Sequence, residues 1–297
     1  MANNPRLGII LMIATMILFA VQDAISRYLA EQYNVVTVVV IRYIFFIFFV
    51  IVYSHRQPDG FKKVFKSNRF FLQISRGVLL SLQICVAIYG FSTIGLVGFH
   101  VVFASYPLII MALSVPILGE MVGWRRWLAV MIGFCGVLLI LRPGTTLFVI
   151  ENLIPVFGAL MFALYGIMTR YVARYDSTDT SFFWTAISGG FVVLLMAPFF
   201  WTPPVGFDWG WMAILCLTGT AGHYLLIRAL NETTASTIQP FAYLQLVFSS
   251  ALGIKIFGDQ LDPMLIAGAL VIVASGLFAL EREKKQKANP RESVRFN

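Results

Sequence analysis

The sequence predicts an all-α membrane protein with ten transmembrane helices, arranged as two inverted five-helix repeats around a central cavity. Three observations carry this. The 297 residues are 59% hydrophobic and only 12% charged, about half the charged share of a soluble domain. Lys and Arg fall almost entirely on one side of the membrane once ten spans are drawn. A twelve-residue stretch, Phe19 to Ala30, returns 143 residues later as Phe162 to Ala173.

A helix needs about 20 apolar residues to cross a bilayer. A continuous run in lipid must satisfy its own backbone, so these runs are helices and not strands. The expected spans are 7–28, 35–54, 71–92, 96–117, 125–142, 153–174, 180–201, 209–229, 236–257 and 263–281. The run from Leu7 to Phe19 is too continuous with its flank to be a cleaved leader, so the first helix is expected to be retained. Arg142-Pro143-Gly144 closes the fifth span and Pro203-Pro204 follows the seventh. Asp262-Pro263 reads as an N-cap with a first-turn proline. Connectors are short except 55–70 and the tail. Residues 1–145 form the first repeat, 146–281 the second, and 282–297 a charged tail expected to be disordered.

With the amino terminus inside, seventeen of the 22 basic residues lie on the inner side: Arg6, Arg56, Lys62, Lys63, Lys66, Arg69, Arg125, Arg126, Arg170, Arg174, Arg228 and six after residue 281. Only Arg27, Arg142 and Lys255 lie outside, and Arg42 and Arg76 fall within spans. This positive-inside distribution places both termini in the cytoplasm of a multi-pass cell-membrane protein. It also accounts for the net charge of +8 without a nucleic-acid partner. Cys85, Cys135 and Cys216 sit in apolar runs with no CxxC spacing, as small buried hydrophobes do. No cofactor or metal site is expected.

The repeat passes a second test. Ile117-Leu118-Gly119-Glu120 recurs as Ile256-Phe257-Gly258-Asp259, and Ala112-Leu113 as Ala251-Leu252 at the same offset. Five spans per copy is an odd number, so the second copy enters the membrane upside down. Inverted repeats of this kind are the architecture of secondary transporters working by alternating access.

Pro107-Leu108 through Leu118-Gly119-Glu120, followed by Trp127, Gly133 and Gly136-Val137, resembles the EamA-type repeat of the drug/metabolite transporter superfamily. The second copy is looser, with Gly258-Asp259 at the corner, Gly276 late in the last helix, and Leu246 where the first copy has Pro107. The resemblance covers the chain to about residue 281. It implies a ten-helix basket with a central cavity, and within the family it is most similar to the amino-acid exporter branch.

Polar groups near mid-bilayer need a reason to be there. Depth counting puts Gln22 and Tyr165, Gln83, and Tyr106 and Gln245 at the cavity, with Phe19 and Phe162 one turn away. His100, Gln239 and Tyr243 are shallower candidates. Amides, phenols and rings together suit a small zwitterion or polar metabolite with an apolar body; interhelical hydrogen bonding is the alternative use of the same groups. Pro107 removes the donor for the Phe103 carbonyl and is expected to kink its helix. Asp23, Arg27 and Arg42 are expected to form an outer gate, and Arg76 to snorkel to the inner face. Glu120 and Asp259 are expected to serve their helix corners. With no carboxylate at the bilayer centre, ion coupling through a buried acid is not expected. Small-residue spacing at Ala129, Gly133 and Gly136, and at Gly268 and Gly276, fits close packing of spans five and ten or a weak homodimer contact; otherwise the chain is a monomer.

The function expected is therefore export of small organic solutes, above all amino acids, with drug or other metabolite export on the same fold as the alternative. A membrane-embedded enzyme is disfavoured: there is no HExxH, no mid-membrane acid pair, and His55, His100 and His223 are scattered.

Overall fold

The computed structural model describes residues 4–56, 60–119, 123–142, 150–233 and 235–288. Its order is α1 (Pro5–Gln32), α2 (Val35–His55), α3 (Gly60–Phe65), α4 (Phe70–Phe103), α5 (Tyr106–Leu118), α6 (Trp124–Leu141), a 3-10 turn at Ile150–Leu153, α7 (Ile154–Val172), α8 (Thr178–Phe200), α9 (Asp208–Glu232), α10 (Ala235–Phe257) and α11 (Pro263–Ala288). Among the described residues seven helices are long and apolar enough to cross a membrane, and α5, α6 and α11 contribute shorter apolar helices.

Local chemistry sets the helix ends. Asn4 caps α1 by accepting from the Leu7 N–H, with Pro5 in the first turn. Asn34 caps α2 and Ser177 caps α8 in the same way, each side-chain oxygen satisfying one of the amides that a helix start leaves open. The Gly119 and Gly258 corners end α5 and α10 with φ of 71° and 70°, a left-handed geometry that glycine adopts without strain.

Two boundaries differ from the sequence reading. Spans 71–92 and 96–117 are not two plain helices. α4 carries on through Gly95 (φ 78°, ψ 167°) as far as Phe103, then breaks at Ala104–Ser105 before α5 restarts with Pro107 in its first turn. A side chain at Gly95 would meet the Asp259 carboxylate at 2.9 Å, so both the backbone angle and the close approach require glycine. The second difference is the tail, where α11 extends to Ala288. Glu281, Glu283, Lys284 and Lys285 are good helix formers, and Glu281 stands four residues before Lys285, a spacing that supports an exposed helix. The short α3 sits in the 55–70 connector.

α1 packs against α9 and α10, and α7 against α4 and α5; α2 lies on α8, and α6 on α11. The α6–α11 contact is close because Gly136 and Gly268 face each other: a Cβ on either would come within 3.1 Å of the other's carbonyl oxygen. Phe48, Phe71, Phe191 and Phe199 point outward, 64–82% exposed, as side chains facing lipid do. Polar residues are instead gathered inside, where six helices meet.

Candidate functional site: a charged cavity between six helices

The cavity is lined from α1 by Phe19, Gln22 and Asp23, and from α2 by Arg42. α4 supplies Gln83, Ala87, Phe91, Phe99, His100 and Phe103 among others; α7, α9 and α10 supply Phe162, His223 and Gln245. On α4 the residues Gln83, Ile84, Ala87, Ile88 and Phe91 recur at helical spacing and form one face. Gly95 then re-aims the chain, so that Phe99, His100 and Phe103 return to the same cavity. One helix thus supplies two walls.

Opposite charges meet here. Arg42, 7% exposed, donates from Nη2 to Gln22 Oε1 at 2.9 Å. Gln22 Nε2 lies 3.4 Å from Asp23 Oδ1, and Gln245 Nε2 donates to Asp23 Oδ2 at 2.9 Å. His100 Nε2 is 3.2 Å from Asp23 Oδ2 but lacks hydrogen-bond alignment. No ion pair joins Arg42 to a carboxylate among the described residues. A buried guanidinium with one amide partner, and a buried carboxylate held by amides and an imidazole, are both undercompensated. Gly219 makes room for this bridge, since a Cβ there would lie 2.8 Å from Arg42 Nη2 and 3.0 Å from Gln22 Oε1.

Rings close the rest. Phe91 stacks on His100 at 5.3 Å, Phe103 packs on Phe162 at 5.5 Å, and Phe19 packs on His223 at 5.0 Å. Such a surface accepts flat apolar or cationic groups.

Several expected site residues lie elsewhere. Tyr165 is fully buried and its hydroxyl accepts from Arg76 at 3.3 Å, away from the cavity lining. Arg76 does not snorkel: it is fully buried, bonding Gln73 (2.8 Å), Thr169 (3.1 Å), Thr185 (2.7 Å) and the Ser181 carbonyl. Gln73 passes the contact on to Asp176 at 2.9 Å, which supplies a countercharge at one remove. Tyr106 packs edge-on against Phe162 at 5.0 Å with its hydroxyl unpartnered, outside the lining. Tyr243 belongs to a separate core between α5, α6 and α11, its hydroxyl lodged against Gly276. The Gln239 side chain and Glu120 lie outside the described residues.

The expected gate trio is split. Asp23 and Arg42 face the cavity, so the cavity holds a buried carboxylate, a residue the sequence reading assigned to the gate. Arg27 turns the other way, 2.9 Å from Glu31 and 2.6 Å from Asp259, with its guanidinium over the Phe257 ring. Asp259 also accepts from the Val97 N–H at 3.1 Å, just past the Gly95 break, so it joins α1, α4 and α10 as well as turning its own corner. His223 is the residue that sequence reasoning left out of the site. Its position one turn from Gly219 on α9 was the available signal.

The model of the EamA-like transporter family matches residues 6–142 and 150–280. A protein of Rickettsia prowazekii named S-adenosylmethionine uptake transporter is 28% identical over 96% of this chain and 96% of its own. A riboflavin transporter of Vibrio cholerae is 25% identical over 97% of this chain and 98% of its own. A protein of known crystal structure superposes with a TM-score of 0.59 at 18% identity, covering 90% of this chain and 96% of that one, a likeness of fold alone.

Proposed function

Because the chain belongs to the EamA-like transporter family, we propose that it is a secondary transporter for a small organic cation or zwitterion carrying a flat aromatic body, of which S-adenosylmethionine is the type. The carrying observation is the pair of undercompensated charges, Asp23 and Arg42, in one aromatic-walled cavity. A sulfonium or ammonium group replaces Gln245 or His100 at Asp23, and a heteroaromatic ring lies among Phe91, Phe103 and Phe162. The cavity's polar groups contact one another, so a solute enters by exchanging those bonds for its own. That exchange keeps the cost of desolvating both sides low. The Rickettsia relative is named for such a solute; riboflavin, the solute of the Vibrio relative, shares the flat ring without the charge. Flux through a transporter leaves its solute chemically unchanged, and the family and relatives are transporters, not enzymes.

Ten spans in two inverted repeats, 1–145 and 146–281, remain our reading of the architecture, with both termini cytoplasmic and a monomer or weak homodimer as the working unit. The packing partners support it. α1 on α9 answers α7 on α4, α1 on α10 answers α7 on α5, and α2–α8 and α6–α11 pair equivalent positions with each other. Export of amino acids is the second reading, favoured by the same charge pair, which fits an α-ammonium and α-carboxylate.

The test is flux in proteoliposomes of the full chain, with labelled S-adenosylmethionine, riboflavin and a panel of amino acids on either side. Saturable S-adenosylmethionine flux, reduced about tenfold or more by Asp23→Asn, supports the proposal. Amino-acid flux without S-adenosylmethionine flux selects the second reading, and no flux of any would sink both.

A further inference from the structure

A second, smaller cavity abuts the first on the α9 side and shares Arg42, Ile84 and His223 with it. Nothing in the charge pairing with Asp23 uses it. Three of its polar groups carry the argument; of the other two, the Tyr43 hydroxyl lies toward Gly189 on α8 and the Cys216 thiol is 3.9 Å from the Ile41 carbonyl. The Arg42 guanidinium spends one described hydrogen bond, on Gln22. His223 is 4% exposed and neither ring nitrogen has a partner. Thr220 is 6% exposed, and no hydrogen bond from its hydroxyl is found among the described residues, although Thr218, two residues earlier on the same helix, bonds the Ile214 carbonyl in the usual way. Buried polar groups normally find partners, so three such groups around one small space point to an absent acceptor.

Donors of this kind match an anion. Guanidinium, imidazole N–H and hydroxyl each give a hydrogen bond, and charge-assisted bonds to a carboxylate are the strong ones. Gly219 sits beside Arg42 with no side chain of its own, so the guanidinium stays reachable from this lobe. We propose that the α2–α9 lobe is a carboxylate subsite, in which Arg42, Thr220 and His223 receive the carboxylate of a zwitterionic solute while its cationic group lies at Asp23. This rests on the transport reading above and adds to it the group that separates a zwitterion from a plain cation.

A carboxylate and a free inorganic anion such as chloride share the chemistry, so the test separates them. Binding of S-adenosylmethionine and of its decarboxylated analogue to the purified full chain would be compared, in chloride and in methanesulfonate buffer. The expected result is a preference of about ten- to a hundredfold for the carboxylated form in both buffers, the size of one or two charge-assisted hydrogen bonds. In Thr220→Val, which keeps side-chain shape, and in His223→Phe, which keeps the ring against Phe19, that preference should fall toward one. Equal binding of the two compounds by the native chain overturns the subsite while leaving the cation reading intact. So does a preference untouched in Thr220→Val; a preference that appears only in chloride-free buffer supports the subsite and shows chloride competing for it. If neither compound binds, the transport reading for this solute class fails and the subsite with it.

Discussion

The Arg27–Asp259 contact gives a direct test of what holds the ends of α1, α4 and α10 together. Asp259→Asn is nearly isosteric; its one amide oxygen can keep the Val97 N–H at 3.1 Å, so the variant removes the charge and the acceptor that faces Arg27. Nitrogen and oxygen are 2.6 Å apart and the side chains are only 13% and 10% exposed. With charge centres about 4 Å apart, the Coulomb term is about 4 kcal/mol at an effective dielectric constant of about 20. Two effects reduce it. Glu31, 2.9 Å from Arg27, still compensates the guanidinium, so no orphaned charge is left behind, and the aspartate's desolvation cost is relieved. The net loss should be about 1–2 kcal/mol, which shifts an open–closed equilibrium about five- to thirtyfold toward open. Spin labels at Gln32, the last residue of α1, and at Leu261, beyond the end of α10, would read this in full-length protein in nanodiscs. The short-distance population should shrink and the solute-exchange rate change with it. An unaltered distance distribution together with unaltered flux would refute the argument that this contact holds the ends of α1, α4 and α10 together.

Three further outcomes follow from the packing. Arg76→Gln removes a buried guanidinium from five polar partners; at about 1.5–3 kcal/mol per charge-assisted bond, and less than additively, it should cost about 3 kcal/mol or more, read as lost folded protein in thermal unfolding. Gly268→Leu should lower thermal stability by the equivalent of about 1–3 kcal/mol of overpacking, because its Cβ already falls 2.9 Å from the Gly136 carbonyl and 2.3 Å from Ile140; a stability equal to the native chain's would show that α6 and α11 can separate freely. The Met264 N–H, and then Arg142 at 2.7 Å, hold the Asp262 carboxyl below its ordinary value. A depressed folded value means its contribution is fully present above the unfolded value and is lost as pH falls through the folded one. Native protein should therefore lose thermal stability on acidification through that range by more than Asp262→Asn does, and parallel curves would count against the link.

Much of the fold was legible because lipid imposes simple rules. Apolar runs of fixed length gave the helices, and Pro, Gly and Asn gave their ends. The Gly95 passage was not legible: a glycine in an apolar run reads the same whether the helix stops or swings, and only the opposing Asp259 decides. Site residues divided along a similar line. Depth counting found Gln22, Gln83, Gln245, His100, Phe19 and Phe162, all of which line the cavity. It misjudged Tyr106, Tyr165 and Tyr243, because depth says how far along a helix a residue sits and nothing about which way it faces. Asp23 and Arg42 were assigned to a gate with Arg27 because the three lie at similar depth. Here each is turned inward by a partner on another helix, Gln245 and Gln22, which the sequence separates from it by 222 and 20 residues.

Those partners say something about how one repeat unit serves two ends, if the chain is built as we propose. At an offset of 143 the cap Asn34 meets the cap Ser177, Gln22 meets Tyr165, and Arg42 meets Thr185. In the first copy Gln22 and Arg42 bond each other directly. In the second, their mates Tyr165 and Thr185 both bond a third residue, Arg76. Each copy thus gathers a guanidinium at the same pair of positions, but draws it from a different helix. Around Arg76 five polar partners take up the guanidinium's donors, which ties α4, α7 and α8 together. Around Arg42 the one hydrogen-bond partner among the described residues is the Gln22 amide, and two lobes of cavity adjoin it, which leaves donors over. Two inverted copies with equal sites would hold a solute equally from either half. Satisfying one guanidinium internally and leaving the other short gives the solute a single place to bind, and makes α1, α2 and α9 the helices whose packing its arrival changes.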